Sequence, residues 1–161
     1  PNEITFTSCG TEADNWSIVA SVEHALYDLG FKMPHVVTTN IEHPAITECL
    51  KHMSAVGRLR YTEVPVDAQG RVSAKAVIEA VEEETCLITV MHSNNEIGSL
   101  QPIGEIGRLL DADHKRFGHI WFHTDAAQSI SKVNFDVSQM QRLDLATIVG
   151  TFLYLNLAFV L

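Results

Sequence analysis

At 161 residues, with 46% apolar and 19% charged side chains, the chain has the makeup of one folded domain with a real core, not a disordered segment. Its formal net charge of −9 argues against a phosphate-backbone binder, which needs a basic face, so no nucleic-acid partner is expected. Cys9, Cys49 and Cys86 are odd in number and lack CxxC spacing, which argues against a disulfide scaffold or structural zinc and for a reducing compartment.

Strand-like and helix-like segments alternate along the chain. Glu3 to Thr7 reads as a strand, followed by the polar turn Ser8-Cys-Gly-Thr-Glu12 and an amphipathic run from about Ala13 to Leu29 that stops at Gly30. His35 to Thr39 is a second strand, Ala45 to Ala55 a second helix and Leu59 to Val64 a third strand. Asp67-Ala-Gln-Gly70 is turn chemistry, and Ser73 caps a helix with apolar positions at Ala76, Val77, Ala80 and Val81. Cys86 to Met91 is a continuous apolar run, as in a strand covered on both faces. Pro102 opens a helix over Ile103 to Leu110; His119 to Thr124 and Leu143 to Val149 complete the strands. The alternation predicts an α/β fold: one mostly parallel sheet flanked by helices. The stretch from Leu145 to Leu161 carries no charge and is just long enough for a membrane span, but its first half is better read as a buried strand, so a membrane partner is not expected.

Four polar clusters stand where strand runs stop: Ser8 to Glu12, Asn40 to His43, Ser93 to Glu96 and Thr124 to Gln128. In a parallel sheet all four emerge at the carboxyl edge, where such sheets bind ligands. A Gly-Thr pair at a helix start, here Gly10 and Thr11, can cradle phosphate with backbone N–H groups, although such a turn is more often a plain cap. His43 alone reads first as a structural histidine, and Asn94-Asn95 as a turn. Convergence of the four clusters is what favours a site. His119 and His123 share a strand face, but the pattern offers no third ligand, so no metal site is expected. A hydrolase built on Cys9, His43 and Asp125 would need an activated thiolate that nothing in the spacing demands.

The phrases Phe6-Thr-Ser-Cys-Gly-Thr-Glu12, Glu42-His43, Asn94-Asn-Glu-Ile-Gly98 and His123-Thr-Asp-Ala-Ala-Gln128 stand in an order and spacing that resemble the cysteine desulfurases and selenocysteine lyases, class V aminotransferase-like enzymes that use pyridoxal phosphate. The resemblance runs from Pro1 to about Gly150 and leans toward the selenocysteine lyases at Leu145 to Gly150 and between Ile106 and His119. It implies part of the large domain of a fold-type I pyridoxal phosphate enzyme over residues 1–150. It also implies roles: Gly10 and Thr11 on the cofactor phosphate, His43 stacked on the ring and moving protons at the substrate, Asn95 and Gln128 on the ring's phenolic oxygen, and Asp125 on the pyridine nitrogen. A protonated ring is the electron sink that such chemistry needs. The implied substrate is selenocysteine or cysteine, with alanine as product, in a cytoplasmic homodimer; a housekeeping desulfurase parent would instead point to mitochondria.

The chain also departs from the family pattern. After Gly150 the family continues with His-Lys, whose lysine forms the Schiff base with the cofactor; Thr151 and Phe152 stand there, so covalent attachment is not expected. Residues 151–161 read as a divergent apolar tail, and the later loop with the sulfur- or selenium-accepting cysteine, along with the carboxyl-terminal small domain, is not in this chain. Cys49 and Cys86 read as core residues, while Cys9 occupies a position where the family has glycine. The expectation is a central fragment that keeps a cofactor site, is inactive alone, and can pair with a full-length subunit.

Overall fold

The structure, a computed structural model, describes residues 4–150 and, for residues 158–160, the backbone alone. A strand β1 (Thr5–Thr7) leads to helix α1 (Gly10–Tyr27), then come β2 (His35–Thr39), α2 (Pro44–Ala55), β3 (Arg60–Val64) and α3 (Ala74–Glu79). The second half holds β4 (Thr85–Thr89), α4 (Ile103–Ala112), the short α5 (His114–Phe117), β5 (Trp121–Asp125), a 3-10 turn at Val137–Gln139, β6 (Leu145–Val149) and β7 (Ala158–Val160). The strands form one sheet in the order β1-β7-β6-β5-β4-β2-β3. Strands β3, β2, β4, β5 and β6 run parallel, whereas β7 is antiparallel to both β6 and β1. The expected α/β architecture is the one observed.

Alternate residues of the central strands feed two cores, as a sheet covered on both faces requires. Val36 and Leu87 pack with Ile18, Val22 and Ala25 of α1 and Ile46, Leu50 and Met53 of α2. Their neighbours Val37 and Ile88 pack on the opposite face with Val77 of α3, Ile103, Ile106 and Leu110 of α4 and Phe117 of α5. Cys86 is buried, and half-buried Cys49 packs against the first of these cores.

Strand β4 covers Thr85–Thr89 against an expected Cys86 to Met91, β5 covers Trp121–Asp125 against His119 to Thr124, and α5 was not foreseen. Three further differences bear on the site or the sheet edge. Helix α1 starts at Gly10, three residues before the expected Ala13, because its N-cap is Cys9, an extended residue with no side-chain cap bond. Glu12 instead reaches back, its carboxylate accepting from the Ser8 N–H at 2.6 Å and the Ser8 hydroxyl at 2.7 Å. Strand β6 starts at Leu145, not Leu143, because Asp144 turns its carboxylate to the Phe122 N–H at 2.8 Å. The third is β7: residues 158–160 of the expected tail fill the place between β6 and β1, pairing Ile148 with Phe159 and Phe6 with Phe159. Thr151 and Phe152 lie outside the described residues.

Candidate functional site

The strand ends β1, β2, β4, β5 and β6 all open onto the same sheet edge, and a cavity of about 170 Å³ lies there. Its walls include Gly10, Thr11, Asp14, His43, Asn95, Asp125 and Gln128. The six residues singled out from the sequence are therefore brought together, from segments up to 118 positions apart, Gly10 to Gln128.

Asp125 ends β5 and is 6% exposed. One of its oxygens accepts from the Ala127 N–H at 2.9 Å, which orients the carboxyl. Burial pushes its pKa up, against the pull of that N–H and of His43. Gln128, half-buried, follows on the same loop, its amide oxygen bonded to the Lys132 ammonium. Facing them is the start of α1, an 18-residue helix whose amino-terminal pole favours anions. Gly10 has no room for a side chain: a Cβ there would stand 2.6 Å from Val149 Cγ2. The helix start is thus seated directly on the end of β6.

His43 is the N-cap of α2, followed by Pro44 at the first helical position. Its Nδ1 accepts from the Ala45 N–H at 3.1 Å. A ring nitrogen that accepts carries no proton, so in the neutral ring the proton sits on Nε2. Asn95 is presented on an exposed loop that its neighbour builds. Buried Asn94 accepts from the Glu96 and Ile97 N–H groups, both at 2.9 Å, and donates to the Ile41 carbonyl at 3.0 Å. The β4–α4 loop is also tied to the β5 loop: Ser129 Oγ lies 2.7 Å from both His92 Nδ1 and Ser93 Oγ.

Two buried acids were not read as site residues from the sequence. Glu42, next to His43 on the loop after β2, accepts from the Met91 N–H at 3.0 and 3.1 Å and from the Thr39 hydroxyl at 2.5 Å. Burial raises its pKa to about 8. Asp14, on the first turns of α1, is 3% exposed, and burial together with Asp125 holds its carboxyl well above the usual range. A signal did exist for Asp14: Asp14, Ser17 and Ser21 recur at helical spacing inside the buried face of α1. His123, weighed as a metal ligand, has both ring nitrogens engaged, Nδ1 at 2.8 Å from Thr89 Oγ1 and Nε2 at 3.0 Å from Thr147 Oγ1. It stitches β4, β5 and β6 together as a neutral ring, its pKa lowered to about 3 by burial.

Three buried carboxyl groups thus gather beside a helix amino terminus, and no lysine or arginine is among the described residues that line the cavity. The arrangement suits a ligand with a cationic ring at the Asp125 end and an anionic group at the Gly10-Thr11 end. In that sense the residues present fit pyridoxal phosphate.

Comparison with known proteins agrees on a family. The family model for class-V aminotransferases matches residues 1–150. The putative cysteine desulfurase IscS 1 of Bacillus subtilis (strain 168) is 45% identical over 148 residues, covering 92% of this chain and 36% of that protein. The selenocysteine lyase of Xenopus tropicalis is 35% identical over 168 residues, covering 96% of this chain and 39% of its own length. Among solved structures, a NifS-like protein superposes with a TM-score of 0.85 at 31% identity, over 99% of this chain and 42% of the other. The chain spans little more than a third of the length of these curated relatives. The chain belongs to the aminotransferase class-V family, and its sheet and helices form part of a fold-type I domain.

Proposed function

We propose that this chain is the cofactor-binding portion of a pyridoxal phosphate-dependent enzyme that takes sulfur or selenium from cysteine or selenocysteine and releases alanine. The observation that carries the reading is the placement of the buried Asp125 carboxyl in one cavity with the amino-terminal pole of α1. Relatives named as cysteine desulfurases and as a selenocysteine lyase support the reaction class.

Pyridoxal phosphate, when bound, supplies the electron sink for charge developing at the substrate's α-carbon. The chain's own residues divide the remaining work. The backbone N–H groups of Gly10 and Thr11 hold the phosphate. Asp125 keeps the ring nitrogen protonated, and its raised pKa falls once a cation is beside it. Asn95 and Gln128 supply amide contacts to the ring oxygen. His43 covers the ring, with Nε2 as the nitrogen that moves a proton at the substrate.

The lean between the two substrates is toward selenocysteine, on the Leu145–Gly150 segment. With Phe152 at the Schiff-base position, the chain holds its cofactor without a covalent bond and is inactive alone; a dimer partner that carries the lysine would complete the chemistry. Three free cysteines favour a reducing compartment, the cytoplasm, although one relative is a mitochondrial cysteine desulfurase. No helix among the described residues is long and apolar enough to cross a membrane.

Equilibrium dialysis against pyridoxal 5'-phosphate tests the reading. Saturable binding at one site, weakened about tenfold or more in Asp125→Asn, is expected, since truncating a charge-assisted bond removes about 1.5–3 kcal/mol. Equal binding by both forms would sink it.

A further inference from the structure

Asp14 lines the cavity beside Asp125 but none of the roles above uses it. It is 3% exposed, and its Oδ1 has no hydrogen-bond partner among the described residues. The carboxyl is also hydrogen-bonded to the Thr147 side chain. His123 Nε2 lies 3.9 Å from Oδ1, but that nitrogen is already 3.0 Å from Thr147 Oγ1 and belongs to a ring that burial keeps neutral. No ion pair therefore forms.

The other groups that face Asp14 make matters worse for a negative charge. They are Asp125 at the end of β5, Glu42 on the β2–α2 loop, Cys9 before α1 and Cys49 on α2. None is a cation. A buried carboxylate with an open oxygen and a second carboxyl beside it is unfavourable on two counts, desolvation and like-charge repulsion. A proton on the open oxygen removes both penalties and turns an unmatched acceptor into a donor.

We propose that Asp14 is a positioning residue that stays protonated in the folded chain, leaves Asp125 as the anion that meets a cationic ring, and offers the cavity a hydrogen-bond donor of its own. This rests on the reading of the cavity as a pyridoxal phosphate site for its ligand, though not for the protonation itself. Two carboxyl groups so close divide into an acid and a base because their surroundings differ. The Ala127 N–H favours ionised Asp125, whereas Asp14 has only the Thr147 side chain to favour its ionised form, and its other oxygen stays open among acids.

Infrared difference spectroscopy of the ligand-free chain at pH 7, with carbon-13 in its aspartates, tests the first half. The isotope label separates Asp14 from Glu42. A protonated aspartate carboxyl band is expected that disappears in Asp14→Asn and persists in Asp125→Asn. A spectrum unchanged by Asp14→Asn, or a band lost instead in Asp125→Asn, overturns the proposal.

Dialysis against pyridoxal 5'-phosphate tests the second half. Asp14→Asn, which keeps a neutral donor, should bind within about threefold of the parent chain, and Asp14→Leu about tenfold more weakly, the effect of one lost hydrogen bond. Near-ultraviolet circular dichroism shows that each variant is folded. Equal weakening by Asn and Leu would mean that the charge on Asp14 matters and would overturn the assignment. If the parent chain binds no cofactor, the reading of the cavity fails, and the infrared band still decides the state of Asp14.

Discussion

The Glu42 carboxyl grips the backbone N–H of Met91 with both oxygens, at 3.0 and 3.1 Å, across 49 positions of sequence. This contact locks the loop after β2, which carries His43, to the loop after β4, which carries Asn95. With a pKa near 8, Glu42 is mainly a neutral acid at pH 7. Glu42→Gln, which keeps an acceptor in place, should lower stability by about 1 kcal/mol or less. Glu42→Ala, which orphans the Met91 N–H and the Thr39 hydroxyl, should cost about 2–4 kcal/mol. Urea unfolding checks both.

The same group sets part of the pH dependence. An acid whose folded pKa is raised from 4.5 to about 8 binds more protons folded than unfolded, so its contribution is full below pH 4.5 and is lost as pH rises to 8. His123 works in the opposite sense: its folded pKa is lowered from 6.5 to about 3, so stability is lost as pH falls through that window. Between pH 4.5 and 6.5 the two slopes oppose each other, about 1.4 kcal/mol per pH unit for each proton. Urea midpoints should therefore decline above pH 6.5, and the decline should shrink in Glu42→Gln. An undiminished decline in that variant would show that Glu42 is not responsible.

Gly10, proposed above as a phosphate position, is also a packing position. In Gly10→Ala the new methyl would meet Val149 Cγ2 at 2.6 Å. A loss of about 1–3 kcal/mol from overpacking is expected, together with weaker pyridoxal 5'-phosphate binding as the helix start shifts. Adding Val149→Ala should restore part of the binding. If it restores none, the methyl blocks the ligand directly instead of displacing the helix.

Asn94 and Asn95 are adjacent but should behave differently. Asn94→Ala removes acceptance from two backbone N–H groups and a donor to Ile41, and should cost about 2–3 kcal/mol along with affinity. Asn95→Ala should leave the unfolding midpoint within about 0.5 kcal/mol while lowering affinity for pyridoxal 5'-phosphate. Thermal unfolding with and without the cofactor separates the two.

Most of the sheet was legible because its strands are short apolar runs bounded by polar turns; His35–Thr39 matches the expected strand at both ends. The convergence of the four polar clusters followed from the parallel order alone. What escaped has physical reasons. Cys9 is a poor start signal, so α1 was read three residues late. The four-residue α5 is too short to show a period. Residues 158–160 looked like an orphan tail because their pairing with β1 joins opposite ends of the chain. Asp14 and Glu42 are the common acidic types of solvated surfaces, and only the packed structure shows them buried.

The central claim is that the cavity holds pyridoxal phosphate through Asp125 and without a covalent bond. An absorbance titration of the full chain with pyridoxal 5'-phosphate, followed by borohydride reduction and mass spectrometry, tests it most directly. The account predicts a saturable spectral change that is lost in Asp125→Ala, and no phosphopyridoxyl-lysine after reduction. A titration that never saturates, or a stoichiometric adduct on Lys132, the lysine beside Gln128, would contradict it.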